Sequence, residues 1–179
     1  MATDSLGDNG SLELDSARDV DVFTIGSSTY AIVTAWTDDG VQIIDISDPE
    51  NIVAKGSMVD TGSLKLDGAR GVDVFTIGSS TYAIVAAWTD NGVQVIDISD
   101  VDNLVATDSL GDNGSLALDA ARHVNVFTID SSTYAIVTSS ADDGVQIIDI
   151  SDPENIEAKG SMVDTGSVSY THLTLPTKA

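Results

Sequence analysis

STYAIVTAWTDDGVQIIDISDPENIVAKGSMV, residues Ser28 to Val59, decides the fold. STYAIVTAW (Ser28–Trp36) and GVQIIDIS (Gly40–Ser47) are rich in β-branched and aromatic residues, which suit a pleated, half-buried strand. NIVAKGSMV (Asn51–Val59) reads as a further strand. Turn chemistry separates the runs. Asp38-Asp39-Gly40 lies between the first two, and Ser47-Asp48-Pro49-Glu50 lies between the next two. Asp-Gly and Asn-Gly pairs tolerate the positive φ of tight hairpins, and an Asp side chain opens a turn by accepting nearby backbone amides. Working outward, ARDVDVFTIG (Ala17–Gly26) adds a strand on the N-terminal side, closed by Gly26-Ser27-Ser28. No segment keeps a 3.6-residue period over three turns, so no helix is expected.

The same pattern returns at a fixed interval. Tyr30, Tyr82 and Tyr134 are 52 residues apart, as are Arg18, Arg70 and Arg122. Residues 4–55 and 108–159 differ at nine positions, so 43 of 52 are identical. A second period of 104 lies above the first: ATDSLGDNGS occurs at Ala2 and Ala106, and AKGSMVDTGS at Ala54 and Ala158. Duplication of a pair of units explains the alternation. Four short strands per unit, repeated every ~40–50 residues, describe a propeller blade. The extra length falls in DTGSLKLDG (Asp60–Gly68), where Leu64 and Leu66 are expected to add a small strand or tuck under the blade. A parallel β-helix is the alternative, but its coils are much shorter.

The stretch GVQIIDISDPEN (Gly40–Asn51), preceded by TYAIVTAW, resembles the LVIVD repeat family, propeller-like repeats of bacterial and archaeal surface or secreted proteins. GVQVIDISDVDN (Gly92–Asn103) and GVQIIDISDPEN (Gly144–Asn155) repeat it, and ARGVDVFTIGSSTYAIV (Ala69–Val85) fits the opening strands. The resemblance spans residues 1–167, with units longer than is usual for the family. It implies a scaffold in an extracellular or cell-surface protein, with no common catalytic motif.

The expected fold is therefore all-β: a β-propeller-like array of four-stranded blades, three 52-residue repeats forming an incomplete ring. Residues 1–16 end a preceding blade. Blades follow at 17–68, 69–120 and 121–167. The core is expected at Val20, Val22, Tyr30, Ile32, Val41, Ile43 and their equivalents at +52 and +104. VSYTHLTLPTKA (Val168–Ala179) breaks the repeat and resembles translated read-through of a transposon-based sequencing adapter, so 168–179 is read as a non-native tail. Met1 stands where the repeat predicts Val105. Both ends suggest a piece of a longer array from environmental DNA.

Composition limits the partners. Twenty-nine acids against seven bases leave a net charge of −22, which argues against nucleic acid, because phosphate binding needs clustered Lys and Arg. An acidic surface also keeps a protein soluble and apart from its neighbours. There is no cysteine, hence no disulfide and no thiolate metal site. No apolar run approaches the ~20 residues of a membrane helix, so no membrane insertion is expected.

The chain shows no catalytic constellation. His123, at a position held by Asp19 and Gly71 in the other units, reads as a surface residue. No G-x-S-x-G elbow, P-loop or dinucleotide fingerprint occurs. Carboxylates are abundant, and Asp38, Asp39, Asp142 and Asp143 are the candidate ligands for calcium, a cation that needs several oxygens together. The EF-hand and glycine-rich nonapeptide patterns are absent, and turn chemistry is the preferred reading. Arg18, Arg70 and Arg122, the only arginines, are expected at the mouth of the channel. They suit an anion or carboxylate ligand, although pairing with Asp15, Asp67 or Asp119 is the simpler reading. Trp36 and Trp88, replaced by Ser140 in the third unit, either stack on sugar rings or pack between blades. Two function classes follow: a non-enzymatic scaffold for a protein or ligand partner, and a calcium-dependent adhesive or glycan-binding module. Unpaired blade edges would also allow a homodimer that closes a ring.

Overall fold

The computed structural model describes residues 5–7 and 10–165. Met1 and the segment Val168–Ala179 lie outside these residues. Twelve strands and no helix form among them. The first sheet holds β1 (Ala17–Ile25), β2 (Ser28–Ala35), β3 (Gly40–Asp45) and β4 (Val53–Val59). The second holds β5 (Ala69–Ile77), β6 (Ser80–Ala87), β7 (Gly92–Asp97) and β8 (Val105–Gly111). The third holds β9 (Ala121–Ile129), β10 (Ser132–Ser139), β11 (Gly144–Asp149) and β12 (Glu157–Val163). Each sheet is an antiparallel meander in chain order, and the three are not joined into one. This is the expected array of four-stranded blades; the parallel β-helix is excluded. The array is not closed.

The turns behave as their residues require. Asp39, Asn91 and Asp143, the penultimate residues of the β2–β3, β6–β7 and β10–β11 turns, have φ of 53°, 52° and 50°. Asn and Asp accept this region more readily than other side chains. The glycine that follows is needed for another reason. A Cβ on Gly40 would strike the Met58 carbonyl oxygen and lie 3.0 Å from the Val59 Cα, so β3 and β4 meet closely there.

The core lies between blades. Neighbouring blades approach most closely through their first strands, β1 against β5 and β5 against β9. One cluster joins Phe23, Ile32, Val41 and Ile43 of the first blade to Leu66, Val72, Val85 and Ile98 of the second. The next joins Phe75, Ile84, Val93 and Val95 to Leu118, Val124, Val137 and Ile150. Each blade thus has two apolar faces, one for the blade before it and one for the blade after. Leu66 settles the role of the connection: it forms no strand and is fully buried under the second blade. Gln94 fastens that connection, its buried side-chain oxygen accepting the Lys65 amide at 3.1 Å.

The expected core holds at Ile32, Val41 and Ile43, all fully buried. It fails at Val20 and Val22, which are 56% and 55% exposed. Their side chains point toward the position of a preceding blade, whereas Val72 and Val124, their counterparts of Val20, are buried at 5% and 8%. Tyr30 is half-buried, its ring stacked on Phe23.

Polar groups also join the blades. Asp21 accepts the Val74 amide at 2.8 Å, and Asp73 accepts the Val126 amide at 2.5 Å. Asp73 also lies against Asp21. Burial first, and the Asp21 carboxyl beside it, push the Asp73 carboxyl above its ordinary value. An acid whose folded pKa is raised favours folding in its protonated form. Its contribution is full below the ordinary carboxylate range and is lost as pH rises through the raised value. Asn125 occupies the same position in the third blade and donates to Asp73 at 3.2 Å.

Two predictions follow from this packing. Ile84→Ala, at a fully buried joint position, should cost about 2–5 kcal/mol in urea denaturation. Asp21→Asn, which copies Asn125, should raise stability at pH 7 by up to about 1 kcal/mol, the scale of relieving one like-charge pair. It should also flatten the loss of stability between pH 4 and 7. Equal stability of D21N and wild type across that range would count against the carboxyl pair.

Candidate arginine and tryptophan site

Arg18, Arg70 and Arg122 each follow the alanine that begins the first strand of a blade. Because first strands of successive blades lie side by side, the three arginines form a row along one rim. The β2–β3 side of the blade delivers the aromatics to the same rim: Trp36 directly follows β2 and Trp88 directly follows β6. Backbone bonds from Trp36 to Ser16 and from Trp88 to Gly68 hold them beside the strand starts.

The row is tightly interleaved. The Arg18 guanidinium carbon lies 5.3 Å from the centre of the Trp36 ring, and that of Arg70 lies 5.1 Å away. Trp36 and Trp88 touch across the blade boundary, with centroids 5.2 Å apart and planes at 46°. The tryptophans therefore pack between blades, and Trp88 remains 36% exposed. Desolvation first, then the charges of Arg122 and Arg18, pull the Arg70 guanidinium below its ordinary value. A guanidinium stays charged even so.

Pairing with Asp15, Asp67 or Asp119 is overturned. Among the described residues every ion pair is formed by a lysine: Lys55 with Asp102, Lys65 with Asp90, and Lys159 with Asp149 and Glu157. The Asp15 carboxylate accepts from the Ser16 hydroxyl, and the Asp67 carboxyl lies against Thr89 and Asp39. Burial, and Asp39 close by, push the Asp67 carboxyl above its ordinary value.

The candidate calcium ligands sit on the same rim and are occupied by backbone. Asp38 accepts the Asp15 amide at 2.6 Å, and Asp142 accepts the Asp119 amide at 2.8 Å. Asp39 accepts the Gly68 amide of the next blade at 2.9 Å, as Asn91 accepts that of Ala120. An asparagine in the same role shows that the position works as a cap without a negative charge. Asp143 carries no such bond. Asp48 caps its own turn, accepting from the Glu50 amide and the Asn51 side chain, and these bonds hold its carboxyl below the ordinary value. Among the described residues no group of three or more His, Asp or Glu could hold a metal ion.

Gly71 is a site-building residue that the sequence reading passed over. A Cβ there would lie 2.5 Å from the Arg122 carbonyl oxygen and 2.8 Å from the His123 Cα. The β9 backbone at Arg122 and His123 occupies the space a side chain there would need. The signal in the sequence was Gly71 standing where the first unit has Asp19 and the third has His123.

The repeat region matches the LVIVD repeat family over residues 16–61, 78–109 and 131–165. The chain belongs to this family. No curated protein sequence matches it. Among solved structures it is similar to an exo-β-1,3-galactanase from Phanerochaete chrysosporium, with 14% identity and a TM-score of 0.60, over 90% of this chain and 42% of that one. It is similar also to a family 117 glycoside hydrolase of the marine bacterium Zobellia galactanivorans, with 10% identity and a TM-score of 0.59, over 88% and 49%. A Bombyx mori GH32 β-fructofuranosidase aligns at 11% identity and a TM-score of 0.54, over 80% and 37%. The LVIVD chain spans less than half of each of these proteins. At such identity the likeness is one of fold.

Trp36→Ser, which copies Ser140, removes two cation–π contacts and the packing on Trp88. It should lower stability by about 1–3 kcal/mol in chemical denaturation. The matching Ser140→Trp should restore an aromatic step beside Arg122 without loss of fold, as judged by circular dichroism.

Proposed function

We propose that this LVIVD chain is a non-enzymatic interaction scaffold of an extracellular or cell-surface protein, and that it binds an anionic group on its arginine–tryptophan rim. One observation carries the reading: among the described residues three guanidinium groups in a row form no ion pair with a carboxylate, in a chain of net charge −22. In so acidic a protein, intramolecular pairing would be easy to arrange. Arginines not paired with the rim acids, two of them held against the Trp36 indole, present forked donors that match carboxylate or sulfate oxygens.

Charge also sets the size of the ligand. At physiological salt the screening length is about 8 Å, so a bound group feels the charges of the rim more than those farther off. A long polyanion would meet the acidic surface beyond the rim. The ligand is accordingly compact, with one to three acidic groups, such as a short uronate-bearing glycan. Trp88 offers exposed ring surface beside it. The rim carboxylates Asp38, Asp39 and Asp142 accept backbone amides, as turn and strand caps do.

Calorimetry with trigalacturonate, with a neutral trisaccharide as control, tests the reading. Binding should occur for the uronate alone, and Arg70→Gln should weaken it by about tenfold. Raising salt from low to physiological should strengthen it first, by screening the acidic surface, before weakening it. Equal binding by R70Q removes the rim from the reading. Release of reducing ends would make the chain an enzyme. Heat and stabilisation from calcium alone would favour the calcium-dependent adhesive module instead.

A further inference from the structure

Along the outer edge of the blades the units alternate. The fourth strand reads VAKGSMV at Val53–Val59, VATDSLG at Val105–Gly111 and EAKGSMV at Glu157–Val163. The turn before it alternates in step. It is Asp48-Pro49-Glu50-Asn51-Ile52 in the first unit, Asp100-Val101-Asp102-Asn103-Leu104 in the second and Asp152-Pro153-Glu154-Asn155-Ile156 in the third. Each of the first two outer strands meets the turn of the following blade, so the two joints bring different pairs together.

In the first joint a backbone group makes the contact. The Gly56 amide donates to the Val101 carbonyl at 2.8 Å. Glycine permits that approach: a Cβ on residue 56 would lie 2.6 Å from the Leu104 Cδ1 and 2.8 Å from the Val101 oxygen. Val101 and Leu104 pack on the core shared by the first two blades. In the second joint a side chain makes the contact. Asp108, one period after Gly56, accepts the Ile156 amide at 2.8 Å. Pro153 and Ile156 are buried there, and Ile156 belongs to the core of the second and third blades.

We propose that these outer edges are a pairing code. A strand with glycine fits a turn of the Val101–Leu104 kind, and a strand with aspartate fits a turn of the Pro153–Ile156 kind. Each blade therefore accepts a neighbour of the other type and rejects one of its own, and the period of 104 is the trace of this rule in the sequence. The proposal does not rest on the ligand reading of the rim.

Both mismatches carry a physical penalty. An aspartate facing Val101 would drive its Cβ into Leu104 and set its carboxylate beside the Val101 carbonyl and the Asp102 carboxylate. A glycine facing Ile156 would remove the acceptor of a buried residue's amide, and an unmade bond costs more than a made one contributes. Discrimination thus comes from a clash on one side and a lost acceptor on the other. The Lys55–Asp102 pair at 3.5 Å adds little, because the Asp102 side chain is 62% exposed.

Repeats this similar need such a rule. Residues 4–55 and 108–159 share 43 of 52 positions, and blades so alike can exchange places during folding, a characteristic failure of repeat proteins. The next blade in this chain is of the other type, and the blade after it is of the same type. The code admits the first and turns away the second.

Two double-mutant cycles in urea denaturation of the full chain test the code. In the first, Gly56→Asp changes the strand, and Val101→Pro, Asp102→Glu and Leu104→Ile together change the facing turn. In the second, Asp108→Gly changes the strand, and Pro153→Val, Glu154→Asp and Ile156→Leu change the turn. Each half-change should lower the unfolding midpoint, with D108G shifting the folding equilibrium by about tenfold. Strand and turn changed together rebuild the other kind of joint, so the combined variant should recover a several-fold part of the loss. If G56D does not fold, the second cycle decides, since glycine adds no bulk to its joint. Additive losses in a measurable cycle overturn the code, as does a D108G variant with the wild-type midpoint.

Discussion

Every blade of this protein depends on burying an apolar face against the next blade. A four-stranded sheet of this size cannot bury both of its faces within itself. Phe23, Ile32, Val41 and Ile43 lose their water only because Leu66, Val72, Val85 and Ile98 cover them. Stability in such an array is close to a sum of blade terms and joint terms.

The joint also explains the placement of polar groups. Successive first strands lie next to one another without forming a continuous sheet, so their backbone amides need other acceptors. Asp21 and Asp73 supply them to Val74 and Val126. Side-chain oxygens of Asp39 and Asn91 do the same for the residues that begin each new blade. Much of the acidity that looks like a bulk property along the chain is thus local backbone capping. Among the described residues the arginines form no ion pair, and Arg18 and Arg70 lie against the Trp36 indole.

Strand positions, turns and blade type were legible because they depend on local chemistry. The Asp-Gly and Asn-Gly hairpins appear where the dipeptides occur, and Asp48 opens its turn as its position before proline suggests. The arginine site was legible in membership but not in pairing. Three arginines at one phase of a repeat must line up, and so must tryptophans at another. That Arg18 and Arg70 lie within 5.3 Å of the Trp36 ring, with no ion pair to Asp15, Asp67 or Asp119, depends on the distance between blades, which no single repeat encodes. Gly71 shows the reason. The β9 backbone fills the space its side chain would take, and this appears only when the neighbouring strand is in place.

The sequence by itself determined the repeat, the four strands in each unit, the turns between them and membership of a propeller-like family, because periodicity and turn residues act over a few positions of chain. Tertiary structure decided which strand faces are covered. Val20 and Val72 hold the same position in their repeats, yet one is 56% exposed and the other 5%. Burial of a blade face is a property of the neighbour that covers it, and that neighbour is a full repeat away.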